Sequence, residues 1–458
     1  MMQSIVKSDH RHFTRKTKKI SMFNPLQKAK FFPQRNKIQK LEVLTFLRYK
    51  DSLLRLTKLQ TTKMIKNLHC LKLLRHLHLL INHNIKFKPL DRTIIYVSEA
   101  FKHYQGLQSL KLECPGSHSF APCGRFYIAT SLMQLKSLKS IKLTFNNSKW
   151  IGDRQVREIA NALRKLKNLE KVTFSISWIS YLVQGGFEKI CNALGSLPKL
   201  QHLSFTLKWS LNSLKLGTVA LSKCLLKTKS LSKLKFQFSG DAHTHIDELT
   251  ALMQSIENLK SLRYLCVGFE NVGNIGEDLL CQLAQSLSCL SNLQVLTLAF
   301  GSSYLFSDKG LLAITEVLLK LNLLENLSIC IEEPGQMSPK GLVKLYQGLT
   351  NIINLERISF KFTRCNEVTN QSIIELVTSI EALKKLTHLQ LNFIDCEKIT
   401  DAGIKKFVEM ISHVVHISEI KIDLETCPQI TQEGVNKALA LLNKMDLSSK
   451  IHFNYIFE

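Results

Sequence analysis

From Leu110 to the end of the chain, one apolar anchor returns every 31 residues without an insertion or deletion. The series is Leu110, Ile141, Val172, Leu203, Leu234, Leu265, Leu296, Leu327, Ile358, Leu389, Ile420 and Ile451, and Leu77 and Leu44 extend it backwards at a spacing of 33. Each anchor heads an apolar-x-apolar-x-apolar phrase, usually with a Leu three residues before it, as in Leu293-Gln-Val-Leu296-Thr-Leu298-Ala-Phe300. A fixed period of this size marks a solenoid, in which each unit buries its apolar face only against its neighbours. A length of 458 residues would otherwise suggest about three domains. The repeat instead gives one array over 38–458, preceded by a basic N-terminal tail or cap over 1–37.

The alternating phrase puts every second side chain on one face, which is the pattern of a short strand. Phe145, Phe238, Phe269, Phe300, Phe362 and Phe393 fall four after their anchors, and Phe174, Phe205, Phe236 and Phe360 two after, so they stack as an internal spine. Ser307, Ser338, Thr369, Thr400 and Thr431 all stand eleven after an anchor, where a hydroxyl caps a helix N-terminus. Pro339 then takes the first helical position, which tolerates it best. Ile404, Phe407, Val408, Met410 and Ile411 follow at helical spacing. Each unit reads strand, loop, helix, return. The expected fold is α/β: a horseshoe solenoid with a parallel inner β-sheet and outer helices, about 14 repeats of 31–33 residues.

Leu386-x-x-Leu389-x-Leu391 followed by Cys396-Glu-Lys-Ile-Thr-Asp-Ala-Gly-Ile resembles a leucine-rich repeat of the ribonuclease-inhibitor type. The Cys before Ile-Thr-Asp-x-Gly is similar to the cysteine-containing subtype found in many F-box and related adaptor proteins. Cys427-Pro-Gln-Ile-Thr-Gln-Glu-Gly-Val and Cys365-Asn-Glu-Val-Thr-Asn-Gln-Ser-Ile follow the same plan. Two departures stand out: the cysteine comes later than usual, and the unit exceeds the usual length of roughly 20–29 residues. The regular, Lys- and Asn-rich style also resembles the large leucine-rich-repeat families of ciliates. The resemblance implies partner binding and nothing narrower. An F-box would need a helical Leu/Pro-rich segment before the repeats, and residues 1–40 do not supply one.

Twelve cysteines include no C-x-x-C pair, so neither metal nor disulfide framework is expected. Cys365, Cys396 and Cys427 are 31 apart and share one rung position, which makes them packing residues of a reducing compartment. The chain holds no G-x-G-x-x-G, G-x-x-x-x-G-K-[ST], H-E-x-x-H, G-x-S-x-G, H-R-D or D-F-G sequence. It is therefore expected to be non-enzymatic and to need no cofactor. Some horseshoe proteins activate GTPases through a loop arginine; Arg154 and Arg364 are loop candidates here, but nothing in the sequence distinguishes them. No apolar run approaches the roughly 20 residues of a membrane span, and the polar, basic stretch 1–20 is not a secretory signal. The expected location is the cytoplasm, with the nucleus as the alternative because of Arg15-Lys-Thr-Lys-Lys19.

Charge breaks the uniformity of the repeat. The formal net charge of +26 divides into +10 over 1–40, +8 over 41–105, +16 over 106–235 and −8 over 236–458. Between the apolar strand positions lie Lys111, Lys142, Lys171, His202, Lys208, Lys233 and Lys235 in the first half. Glu270, Glu332, Glu419, Asp423 and Glu425 follow in the second, interrupted by Arg357 and Lys361. The three tryptophans, Trp150, Trp178 and Trp209, fall where successive strands end. They read either as anchors of a binding hot spot beside cations or as covers for the end of the Phe spine. The expectation is a protein-interaction scaffold or adaptor whose basic half takes an acidic partner on its concave face and rim. The partner-binding candidates are Trp150, Trp178, Trp209, Lys142, Lys171, Lys208, Lys233 and Lys235. The alternative is binding of nucleic acid or an anionic membrane surface through residues 1–235.

Overall fold

A computed structural model describes residues 20–21, 43–46, 74–80, 98–99, 101–115, 128–146, 153–177, 184–208, 213–240, 246–272, 275–302, 306–445 and 450–455. Two compact units emerge, Met1–Trp150 with Lys165–Leu169 and Ile151–Arg164 with Glu170–Glu458. Each is built from parallel strands added in chain order. In the first unit β1 (Ile20–Ser21), β2 (Val43–Phe46), β3 (His76–Leu80), β4 (Ser109–Pro115) and β5 (Ser140–Asn146) pair in sequence. Leu44, Leu77, Leu110 and Ile141 are direct partners there, so the change of spacing from 33 to 31 leaves the register intact. β1, within the stretch 1–37, sets Ile20 opposite Leu44.

The second unit carries β6 (Lys171–Ser177), β7 (His202–Lys208), β8 (Lys233–Ser239), β9 (Tyr264–Glu270), β10 (Val295–Gly301), β11 (Asn326–Glu332), β12 (Arg357–Thr363), β13 (His388–Ile394), β14 (Glu419–Asp423) and β15 (Ile451–Asn454). Every strand pairs in parallel with the next, anchor opposite anchor. A helix follows each strand from β6 to β14, the last three being α1 (Asn370–Glu381), α2 (Asp401–Ile411) and α3 (Gln432–Lys444). Parallel strands need such crossovers. Each rung adds about 4.8 Å on the strand side and about 8–10 Å on the helix side. The second unit therefore bends with its strands on the inner face. The expected α/β solenoid of parallel strands and helices is the fold observed.

The core is the anchor row and its companions. From Leu77 to Ile420 the anchors are at most 3% exposed. The Phe spine is buried throughout, with Phe174 stacked on Phe205 at 5.8 Å and Phe362 on Phe393 at 6.1 Å between centroids. Cys365, Cys396 and Cys427 are buried, and each thiol lies 3.3–3.7 Å from a main-chain oxygen of the preceding rung (Ile331, Phe362 and Phe393). The nine cysteines whose side chains are described are all free. Met410, expected on the buried helix face, is half-exposed beside the buried Val408 and Ile411.

The helix caps work across units as well as within them. Ser307, Thr369 and Thr431 accept the N–H three residues on, Thr369 within a capping box completed by Ser372. Ser338 and Thr400 are N-caps by backbone conformation yet make no such side-chain bond, contrary to expectation. Their polar groups are taken instead by the first helical residue of the unit before. Ser338 donates its N–H to Asp308 Oδ1 at 2.7 Å and its hydroxyl to Oδ2. Asp401 accepts from Thr431 in the same way at 2.8 and 2.6 Å, whereas Asn370 accepts the Thr400 N–H at 3.0 Å and donates its Nδ2–H to the Thr400 hydroxyl at 2.8 Å. This bridge explains the glycine three after the cap: a Cβ at Gly341, Gly403 or Gly434 would stand 2.0–2.2 Å from the bridging oxygen. Where the preceding unit has Pro339 and no bridge, the same position holds Ser372.

A feature not anticipated from sequence ends six successive strands. Asn271, Ser302, Glu333, Arg364, Asp395 and Thr426 adopt φ of 49–58°, the left-handed region. Five of them donate N–H to the next rung at 2.9–3.1 Å, which carries the ladder one residue past the strand before the chain turns toward its helix.

Candidate partner-binding face

In the first unit the outward side chains gather round Glu113 on β4. Its carboxylate lies 3.2 Å from His78 Nε2, 3.2 Å from Lys111 Nζ and 2.9 Å from Lys142 Nζ. Burial pushes the carboxyl up, but the hydrogen bonds from His78 and Lys142 and the charges of Lys142 and Lys111 outweigh it. Glu113 is held well below the usual carboxylate range. Lys142, one of the expected partner-binding cations, is thus already engaged. Glu113 shares the strand parity of Lys111, so alternation alone would have found it.

The second unit differs. Lys171, His202 and Lys233 occupy one register row on β6, β7 and β8. Lys235 lies two residues along β8, and Tyr264 continues the row on β9 with Lys233 Nζ 5.9 Å from its ring centroid. Neighbouring strands are about 4.8 Å apart, so the row packs three nitrogen-bearing side chains into about 10 Å. Lys171 and Lys233 are exposed, and His202 and Lys235 half-buried. Among the described residues none of the three lysines has an ion pair. Burial, then the charges of Lys233 and Lys171, hold the His202 imidazole below its ordinary value, against a smaller opposing pull from Glu170.

Lys208, also expected to contact a partner, lies 2.7 Å from Glu270 Oε2. The pair spans two rungs across the register position of Ser239, and it bounds the cationic row on the rim side. Beyond it the alternation of exposure fails. Cys266, Gly268, Ala299, Gly301 and Cys330 face outward by parity but are buried. These are short residues beneath long neighbours: Gln237 leans over Gly268, and Glu270 and Glu332 flank Gly301.

Several acids of the second half are matched locally. Arg364 pairs with Glu332 and Glu333, and Glu419 with Lys421 at 2.6 Å and His388 at 3.5 Å. Asp423 accepts a hydrogen bond from Asn392. The hydrogen bond from Lys421 is the main force keeping the Glu419 carboxyl low. On the strand face, then, Glu270, Glu332 and Glu419 are ion-paired, whereas Lys171, Lys233 and Lys235 have no ion pair among the described residues.

Trp150, Trp178 and Trp209 lie outside the described residues. Arg154, expected in a loop, is in the helix Asp153–Lys165 with Nε 3.3 Å from Glu158 Oε1, because Asp153 opens the helix one residue earlier. Arg364 does occupy a strand-exit turn. Among the described residues no group of three or more His, Cys, Asp or Glu side chains could hold a metal ion, and no helix is long and apolar enough to cross a membrane. Neither a protein-family model nor a curated protein sequence matches the chain.

Proposed function

We propose that this chain is a non-enzymatic interaction scaffold of leucine-rich-repeat type that docks an acidic segment of a protein partner on its inner strand face at β6–β8. The single observation that carries the reading is the set of Lys171, Lys233 and Lys235, three cations on β6 and β8, either side of β7, with no acidic partner among the described residues. Cations already neutralised, such as Lys142 and Lys208, add little net attraction. Unpaired ones retain theirs, and they steer an oppositely charged partner toward a rigid sheet. The strands supply a fixed platform, so little ordering entropy opposes docking on this side.

The test is capture of partners from a cell extract by the wild-type chain and by Lys171→Glu/Lys233→Glu/Lys235→Glu. The reading expects an acidic protein retained by the wild type and lost by the variant, with an unchanged thermal transition. Equal retention by both would remove this face as the docking site. Retention of nucleic acid, released by nuclease and lost in the same variant, would replace a protein partner by a polyanion.

A further inference from the structure

We infer that docking of an acidic segment on this face takes up a proton, with His202 as the group that receives it. The inference rests on the proposed docking at β6–β8 and adds its regulation by pH. His202 stands in register between Lys171 and Lys233, half-buried, and makes no side-chain hydrogen bond among the described residues. The groups that face it can be named from each neighbouring element. From β6 and the residue before it come Lys171 and Glu170, from β8 Lys233 and Lys235, and from the far end of β7 Lys208, already bound to Glu270.

In the free protein burial, and then the two flanking ammonium groups, disfavour a positive charge on the ring, so the imidazole stays neutral near pH 7. A carboxylate that bridges Lys171 and Lys233 comes to lie over the ring between them. That carboxylate cancels the repulsion and adds an acceptor, so the charged imidazole becomes the favoured form in the complex. The sign follows from linkage. A group whose proton affinity is raised on binding makes the complex tighter as pH falls, by up to about tenfold per pH unit between the bound and free titration points. Below the free titration point the ring is charged in both states and the dependence stops.

The probe is a fluorescein-labelled peptide of ten aspartates, whose carboxylates stay ionised from pH 5.5 to 8.0. It is titrated against the full chain by anisotropy at fixed ionic strength. The expected result is that affinity rises about five- to tenfold between pH 7.5 and 5.5, and that His202→Gln flattens this slope. If the peptide binds, Lys171→Glu/Lys233→Glu abolishes binding, and His202→Gln keeps the wild-type slope, the proton is taken up elsewhere and the inference fails while the docking site stands. If the double reversal does not weaken binding, or the peptide does not bind, the docking site fails and the inference with it.

Discussion

The glycine three residues after a helix cap invites a mutation whose sign contradicts helix propensity. Gly434→Ala in α3 places a methyl carbon 2.0 Å from Asp401 Oδ1 and 2.5 Å from Oδ2. Real Cβ atoms do not approach so closely, so the carboxylate must leave Thr431, breaking hydrogen bonds of 2.8 and 2.6 Å. Hydrogen bonds to a charged group contribute about 1.5–3 kcal/mol. This pair is exposed, so the loss belongs near the lower end, and alanine returns up to about 1 kcal/mol of helix propensity. The net expectation is a destabilisation of about 1 kcal/mol of local opening in α3. A solenoid of this length need not unfold in one step, so the appropriate assay is amide hydrogen exchange of peptides covering Gln432–Lys444. Exchange should quicken about fivefold in Gly434→Ala. In an Asp401→Ala background the bridge is already gone, and the same substitution should instead slow exchange. If Gly434→Ala protects α3 in both backgrounds, the bridge is not what demands glycine there.

Other consequences follow from the core and the ion pairs. Leu296→Ala removes a fully buried anchor and should cost about 2–5 kcal/mol, whereas Thr297→Ala on the outward face should stay within about 0.5 kcal/mol; protection of the flanking strands in hydrogen exchange separates the two. Glu113 contributes stability that is fully present above its ordinary value of 4.5 and fades as pH falls below it, because its folded form holds the proton more weakly. Acid unfolding of the first unit, followed by circular dichroism, should therefore lose part of its pH dependence below about 4.5 in Glu113→Gln. Alkylation of the native chain should reach the partly exposed Cys281 and Cys289 well before Cys365 and Cys396, whose thiols burial pushes up. Peptide mass spectrometry reads the order, and early modification of Cys365 would contradict the packed ladder.

The period was enough to read the solenoid, because a parallel strand can be buried only against its own copies. Anchor-to-anchor register follows directly, and so does the stacking of Phe362 on Phe393. What single-unit reasoning could not supply were interactions that belong to two units at once. Thr400 looks like an ordinary cap until Asn370, 30 residues earlier, is placed beside it. Gly403 looks like a poor helix residue until the same Asn370 fills the space its Cβ would need. The candidate face was legible by parity, which put Lys171, Lys233 and Lys235 outward, but parity does not reveal pairing. Lys142 and Lys208 read the same way and are joined to Glu113 and Glu270, one and two strands away. Parity also overstated exposure at β9–β11, where short residues sink beneath long neighbours.

The central claim is that an acidic segment rests on the lysines of β6–β8. Carbodiimide cross-linking joins carboxylates to amines in direct contact, so mapping its products on the complex with the aspartate peptide tests the claim without a mutation. The account predicts cross-links concentrated at Lys171, Lys233 and Lys235, with few at the paired Lys208. Cross-links concentrated instead at the exposed helix lysines Lys405, Lys406 and Lys437 would contradict it.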